Sequence, residues 1–275
     1  MIVSIASGKG GTGKTTVAVN LALSIKDVQF FDCDVEEPNA HIFLKPSISK
    51  SWPVLMPIPK INEEVCNFCG KCARYCEFNA LIVLPGKVLV FEELCKGCGL
   101  CKLVCPTNAI SEEQRELGIV EEGKAGDIEF IHGKLNIGVP FATPIINAIK
   151  KRIDKRKNVI IDSPPGASCP VIASVYGSDY CILVTEPTPF GLHDLKIMQG
   201  VVEELGIEHG VIINRYGIGN KDVERFCKSK GIPILMKIPI NKKIAELYSK
   251  GIPFTEVLPE WKEKFREVFD AISHS

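Results

Sequence analysis

The sequence predicts an α/β protein, a mostly parallel sheet covered by helices on both faces, interrupted by a small α+β module rich in cysteine. Three observations carry this expectation. Near-continuous apolar, β-rich runs alternate with helical patterns at both ends of the chain, as strands buried on both faces require. The chain opens as a strand, a glycine-rich loop and a helix. Eight of its twelve cysteines fall between Cys66 and Cys105, where the strand–helix rhythm stops.

In chain order, a strand is expected from Ile2 to Ser7, a helix from about Lys14 to Ile25, and a second strand from Val28 to Asp32 that ends in an acidic segment. The rhythm breaks from about Lys60 to Glu112. The charged, glycine-containing segment Ser111–Lys134 reads as a connector with room for a hairpin, and the rhythm resumes after Gly138. Later strands are expected at Val159–Ile161, Cys181–Val184, Val211–Ile213 and Ile234–Ile238. Helices are expected around Leu192–Leu205, Asp222–Lys230 and Lys242–Lys250. The expected division is a first domain in two parts, residues 1–59 and 113–275, with an inserted domain at 60–112.

Composition narrows the function classes. Of the 275 residues 45% are apolar and 24% charged, close to the soluble globular average, so disorder and fibrous repeats are not expected. Lys and Arg total 33 and Asp and Glu total 33, so there is no basic excess to announce a nucleic-acid partner. No apolar stretch reaches the ~18 uncharged residues of a membrane span. The N-terminal run lacks a basic flank, so neither a signal peptide nor a membrane partner is expected. A chain of this length does not need disulfide staples. Clustered cysteines in a cytoplasmic protein then read as metal ligands.

The glycine-rich loop fits G-x-x-x-x-G-K-[ST], running from Gly8 through Lys9, Gly10, Gly11, Thr12, Gly13, Lys14 and Thr15 to Thr16. Glycines let backbone N–H groups turn inward around phosphate oxygens. The following helix aims its positive end at the same anion. Lys14 is placed to reach the β- and γ-phosphates, and Thr15 to ligate Mg²⁺. These features predict a P-loop NTPase that takes a nucleoside triphosphate and magnesium.

The extra lysine, Lys9, is not part of an ordinary phosphate loop. With it, the sequence resembles the deviant loop of the MinD/ParA/Mrp family, to which the nitrogenase iron protein is related. The resemblance covers about residues 1–45 and 135–275. It implies a homodimer in which Lys9 crosses to the partner's nucleotide and neutralises charge, as an arginine finger does. Phe31-Asp32-Cys33-Asp34 resembles that family's first switch, which implies that Asp34 orients the attacking water. Ile160 to Gly166 resembles its Walker-B strand and second switch, with Asp162 holding Mg²⁺ through water. Asn214, in Ile213-Asn214-Arg215, would hydrogen-bond adenine, and Pro239, in Ile238-Pro239-Ile240, would flank it.

Within the insertion the sequence repeats itself. Cys66, Cys69, Cys72 and Cys76 recur 29 residues later as Cys95, Cys98, Cys101 and Cys105, each set spaced C-x₂-C-x₂-C-x₃-C. At this spacing three cysteines wrap one iron–sulfur cluster and the fourth ligates the other. One [4Fe–4S] centre is therefore expected on Cys66, Cys69, Cys72 and Cys105, and a second on Cys95, Cys98, Cys101 and Cys76. Thiolates suit soft iron–sulfur chemistry, with two Cys₄ zinc sites as the alternative. The segment resembles a bacterial-type two-cluster ferredoxin, except that Glu77 stands where proline follows the fourth cysteine of the second repeat.

Cys33, Cys181 and Cys227 read as core packing, and Cys169 as a buried residue of the second switch, with a metal role weighed against it. His41, His132, His193 and His209 read as isolated, with no role. Trp261, Phe265, Val268, Phe269 and Ile272 lie at helical spacing between cancelling charges, which predicts a helix packed on the core rather than a membrane anchor.

Three functions remain at this level. In the first, MgATP gates electron transfer from two [4Fe–4S] clusters to a redox partner protein. The second is an iron–sulfur or metallocofactor assembly ATPase of Mrp type serving a maturation partner; no Cys-x-x-Cys pair follows Cys105 to support it. The third is a spatial regulator of MinD/ParA type, which the neutral charge does not favour.

Overall fold

The computed structural model describes residues 1–273. The chain runs β1 (Ile2–Ala6), α1 (Lys14–Ala22), β2 (Val28–Asp32), α2 (Ala40–Leu44) and β3 (Ser47–Ile61). Short elements follow: α3 (Lys71–Arg74), β4 (Leu81–Leu84), β5 (Lys87–Val90) and α4 (Leu100–Leu103). Then come β6 (Ile110–Ala125), β7 (Ile128–Leu135), α5 (Thr143–Lys150), β8 (Asn158–Asp162), α6 (Cys169–Val175), β9 (Tyr180–Thr185) and α7 (Pro189–Glu204). The last elements are β10 (Glu208–Tyr216), α8 (Asp222–Lys230), β11 (Ile234–Pro239), α9 (Lys242–Ser249), α10 (Phe254–Val257) and α11 (Pro259–Ser273). The chain divides into two compact units. The first is Met1–Trp52, Val120–Lys134 and Ala142–Ser275; the second is Pro53–Ile119 with Leu135–Phe141.

The first unit is the expected α/β fold. The nine-stranded sheet has the order β11-β10-β9-β1-β8-β2-β7-β6-β3. β1 pairs in parallel with β8 (Ile2 opposite Val159) and with β9 (Val3 opposite Tyr180). β2 pairs in parallel with β8 and β7, and β10 with β9 and β11. β1, β2 and β9 are buried along their whole length, as near-continuous apolar runs require.

Alternation along the strands builds two cores. Ile182, Val184 and Ile160 pack with Val17 and Leu21 of α1 and with Phe265 of α11. Their neighbours Cys181 and Leu183 face Val171, Leu195 and Cys227 of the helices on the other side. All five apolar positions expected on the C-terminal helix are buried. Among the described residues no helix is long and apolar enough to cross a membrane.

The connector expected at Ser111–Lys134, with room for a hairpin, is a hairpin along its whole length, β6 and β7, and it extends the sheet. Its turn is Gly126-Asp127, with Gly126 at φ +59. Its charges hid the length of its strands and their place in the sheet: Glu121 and Glu122 on β6 are half-buried and ion-paired rather than solvated. β3 was also illegible, because it carries Pro53, Pro57 and Pro59. The sheet tolerates them because β3 is its edge strand, with a neighbour on one side alone.

In the second unit the internal repeat is written in the backbone. Phe68 and Gly97 (φ +50 and +66), Gly70 and Gly99 (+74 and +73), and Asn79 and Asn108 (+51 and +52) match across the 29-residue offset. α3 and α4 occupy equivalent places, each entered from its left-handed glycine. β4 and β5 form a two-stranded antiparallel hairpin.

Candidate functional site

The carboxyl ends of β1, β2, β8, β10 and β11 converge on one cleft of about 450 Å³, the position where parallel sheets bind ligands. Gly10, Gly11, Gly13, Lys14, Thr15 and Thr16 line one wall. Gly13 ends the loop as the N-cap of α1 at φ +95, and a Cβ there would run into the Asn214 side-chain amide. Only glycine serves at this point. Thr12 is buried, and its carbonyl accepts from Asn214 Nδ2 at 2.8 Å. The base-reading residue expected from sequence is thus pinned to the phosphate loop.

The acidic floor is assembled from two strands in register, Asp32 opposite Asp162. Asp32 is fully buried and organises the segment after β2. Its Oδ1 accepts from the Asp34 N–H, and its Oδ2 from the N–H groups of Asn39 and Ala40, all at 3.1 Å. Burial, then the charge of Asp162, holds Asp32 well above the usual carboxylate range. Asp162 is also raised by burial, which outweighs Thr15 and Lys14. Among the described residues no hydrogen bond of good geometry reaches either buried Asp162 oxygen, although the Thr15 side chain stands near enough to lower its carboxyl. An orphaned carboxylate beside Thr15 suits a hydrated divalent cation. Asp34 lines the cleft; burial raises its carboxyl to about 6 against the opposing pull of Lys14.

The far wall is apolar. Ile238, Pro239 and Ile240 leave β11, and Ile244, Ala245 and Tyr248 follow along α9. Asn241 caps that helix, its Oδ1 accepting from the Lys243 N–H at 2.8 Å. Ile240 and Tyr248 stay half-exposed in the cleft, a surface on which a planar base can lie. Sequence reading missed Ile244 and Tyr248, although their spacing of four on an Asn-capped helix put them on one face.

Lys9 is not among the residues lining the cleft. Its Nζ lies 2.5 Å from Glu186 Oε1, and Arg215 bonds the other oxygen at 2.9 Å. Burial acts to raise Glu186, but these two cations hold it below its ordinary value. Glu186, directly after β9, carried no motif that sequence reading could use.

The cysteines of the second unit sit around two voids. Cys66, Cys69, Cys72 and Cys105 line one; Cys76, Cys95, Cys98 and Cys101 line the other. Each void therefore draws three cysteines from one repeat and one from its copy. Backbone N–H groups of Ala80 and Ala109 donate to Cys76 and Cys105 Sγ at 3.3 Å, and that of Gly97 to Cys95 Sγ at 3.4 Å. Cys105 Sγ also lies 3.7 Å from the Thr107 hydroxyl. Such contacts stabilise negative charge on sulfur. Among the described residues no three His, Cys, Asp or Glu side chains are arranged around a single metal ion.

Cys33, Cys181 and Cys227 are buried as expected. Cys169 is exposed, contrary to expectation, because it opens α6 off the buried face formed by Val171, Ser174 and Val175. Nor are His41 and His132 isolated. Their rings stand 5.7 Å apart, and His132 Nε2 lies 2.8 Å from Glu121.

The chain matches the CobQ/CobB/MinD/ParA nucleotide binding domain family (CbiA) over residues 3–254. It is 33% identical over 263 residues to an uncharacterized protein of Methanocaldococcus jannaschii, covering 92% of this chain and 91% of that one. An iron-sulfur cluster carrier protein of Pyrococcus abyssi is 22% identical over 279 residues, 91% of this chain and 78% of that one. The cell division ATPase MinD of Pyrococcus furiosus superposes with a TM-score of 0.61 at 19% identity, covering 99% and 98% of the two chains, which shows the fold. With its phosphate loop, paired aspartates and parallel sheet in place, this chain belongs to the CobQ/CobB/MinD/ParA family of nucleotide-binding proteins.

Proposed function

We propose that this chain is a MgATP-dependent homodimeric ATPase whose inserted ferredoxin-like domain holds two [4Fe–4S] clusters, and that nucleotide gates electron delivery to a partner protein. The observation that carries the reading is the pair of voids, each ringed by four cysteines drawn from both repeats. A four-iron cluster is held by four thiolates spread around its faces, so this donor set fits it better than it fits one zinc ion. Bound there, the clusters would supply one-electron redox chemistry.

In the cleft, Lys14 and the loop N–H groups bind phosphates, while Thr15 and Asp162 hold magnesium. Asp34 orients the attacking water, and the apolar wall from Ile238 to Tyr248 takes the base. Asp32 ties the Asp34–Ala40 segment to the floor through three backbone N–H groups. That segment leads through α2 directly into β3, where the insertion begins. A change at the γ-phosphate thus has a covalent route into the cysteine-rich insertion.

Anaerobically purified protein is titrated by EPR with and without a non-hydrolysable MgATP analogue. The expected result is two [4Fe–4S] signals and a shift of ~59 mV or more, equivalent to ~1.4 kcal/mol for one electron. Clusters without a nucleotide shift sink the gating; absent clusters sink the assignment. The second reading, cluster assembly, is favoured by the name of the Pyrococcus abyssi relative. Transfer of iron and sulfide to an apo acceptor during ATP turnover would establish it instead.

A further inference from the structure

Lys9 has a defined place in this single chain, and it is not on phosphate. Its ammonium is paired with Glu186, a residue only 8% exposed. A carboxylate so deeply placed is costly to leave unpaired. Yet Lys9 is not its only partner. Arg215 holds Oε2 at 2.9 Å, and the Thr188 hydroxyl lies 3.4 Å from Oε1. Arg215 is itself held in the left-handed region at φ +52, with its N–H on Asn214 Oδ1, the residue that pins the phosphate loop. A non-glycine residue in that conformation is held there by its surroundings.

We propose that Glu186 is a positioning residue that parks Lys9 on its own protomer, and that Arg215 is the stand-in cation that lets Lys9 leave. The proposal rests on the reading that Lys9 crosses to a partner's nucleotide. One ammonium cannot serve both places. In the parked state Glu186 has two cations. When Lys9 departs, Oε2 keeps Arg215 and Oε1 keeps Thr188, so the buried charge is never orphaned. Glu186 therefore opposes dimer closure while Arg215 favours it. A structural role for both residues would give the same sign on removal.

The test is the oligomeric state of the full chain by analytical ultracentrifugation across a titration of MgAMP-PNP. Glu186→Gln should lower the analogue concentration for half-maximal dimer roughly tenfold, which corresponds to ~1.4 kcal/mol. Arg215→Gln should raise it by a similar factor, because Lys9 is then the last cation on Glu186. In the Glu186→Gln background Arg215→Gln should have no further effect, and that cycle separates parking from any direct role of Arg215 at the nucleotide. An unmoved or raised midpoint in folded Glu186→Gln, or equal effects of Arg215→Gln in both backgrounds, overturns the proposal alone. A wild-type chain that stays monomeric at saturating analogue overturns the homodimer reading, and the parking of Lys9 with it.

Discussion

Asp34→Asn should make the nucleotide-free fold more stable while disabling its chemistry. The substitution is nearly isosteric and removes only the charge. Burial raises the Asp34 carboxyl from 3.8 to about 6 against the attraction of Lys14, a shift of about two units. At ~1.36 kcal/mol per unit this is ~3 kcal/mol. Asp34 keeps some solvent contact, which screens the cost to ~1–2 kcal/mol. The sign follows from proton linkage. Below the unfolded value both states are protonated and nothing is gained. As pH rises toward 6 the unfolded state ionises first, so the fold loses stability, and above 6 the full penalty remains. Asp34→Asn should therefore exceed wild type by ~1–2 kcal/mol at pH 8, narrowing to about half that at pH 5. Urea unfolding in EDTA, followed by tryptophan fluorescence, reads this directly, because Trp52 and Trp261 both lie in the nucleotide-binding unit. A less stable variant, or a gap that does not change with pH, would refute the reasoning.

On the role proposed for Asp34, steady-state ATP hydrolysis should rise with pH through about 6 and then level, and Asp34→Asn should lose ~10²–10⁴-fold at the plateau. Gly13→Ala forces a side chain onto the Asn214 amide at φ +95, so fluorescent-nucleotide titration should show affinity falling about 100-fold or more, with the fold retained by circular dichroism. Phe265→Ala empties a fully buried site between α11 and the sheet and should cost ~3–5 kcal/mol in urea unfolding. Removing magnesium with EDTA should stop hydrolysis while leaving iron content unchanged. On the proposed cluster assignment, Cys105→Ala should abolish the EPR signal of the cluster otherwise built on the first repeat, and Cys76→Ala that of the second.

What the chain disclosed in advance depended on where its apolar residues lay. Strands β1, β2, β8 and β9 are buried on both faces, so their sequences are near-continuous apolar runs, with Ser4 and Gln29 as polar residues inside β1 and β2. The phosphate loop was legible because glycine geometry admits few substitutes, as Gly13 against Asn214 illustrates. β6 and β7 were legible only as a connector with room for a hairpin, because their half-buried glutamates are neutralised by Lys134 and His132 on the facing strand and by Arg152 beyond it. Glu186 was invisible for the same reason: its importance lies in Lys9 and Arg215, 177 and 29 residues away. The exposure of Cys169 follows from its phase on α6, which a seven-residue helix is too short to announce.

The central position of β1 sets the timetable of synthesis. β1, made well before them, pairs with β8 and β9, whose facing residues include Val159 and Tyr180. At ~5–20 residues per second, β1 waits on the order of ten seconds or more on the ribosome before either neighbour exists. During that interval Ile2–Ala6 has two open edges. The cysteine repeats, offset by 29 residues and all between Cys66 and Cys105, emerge complete well before the phosphate loop acquires its flanking strands. Contacts so distant in the chain slow folding, so the nucleotide cleft should be among the last parts of a newborn chain to form and the one most dependent on chaperone shelter.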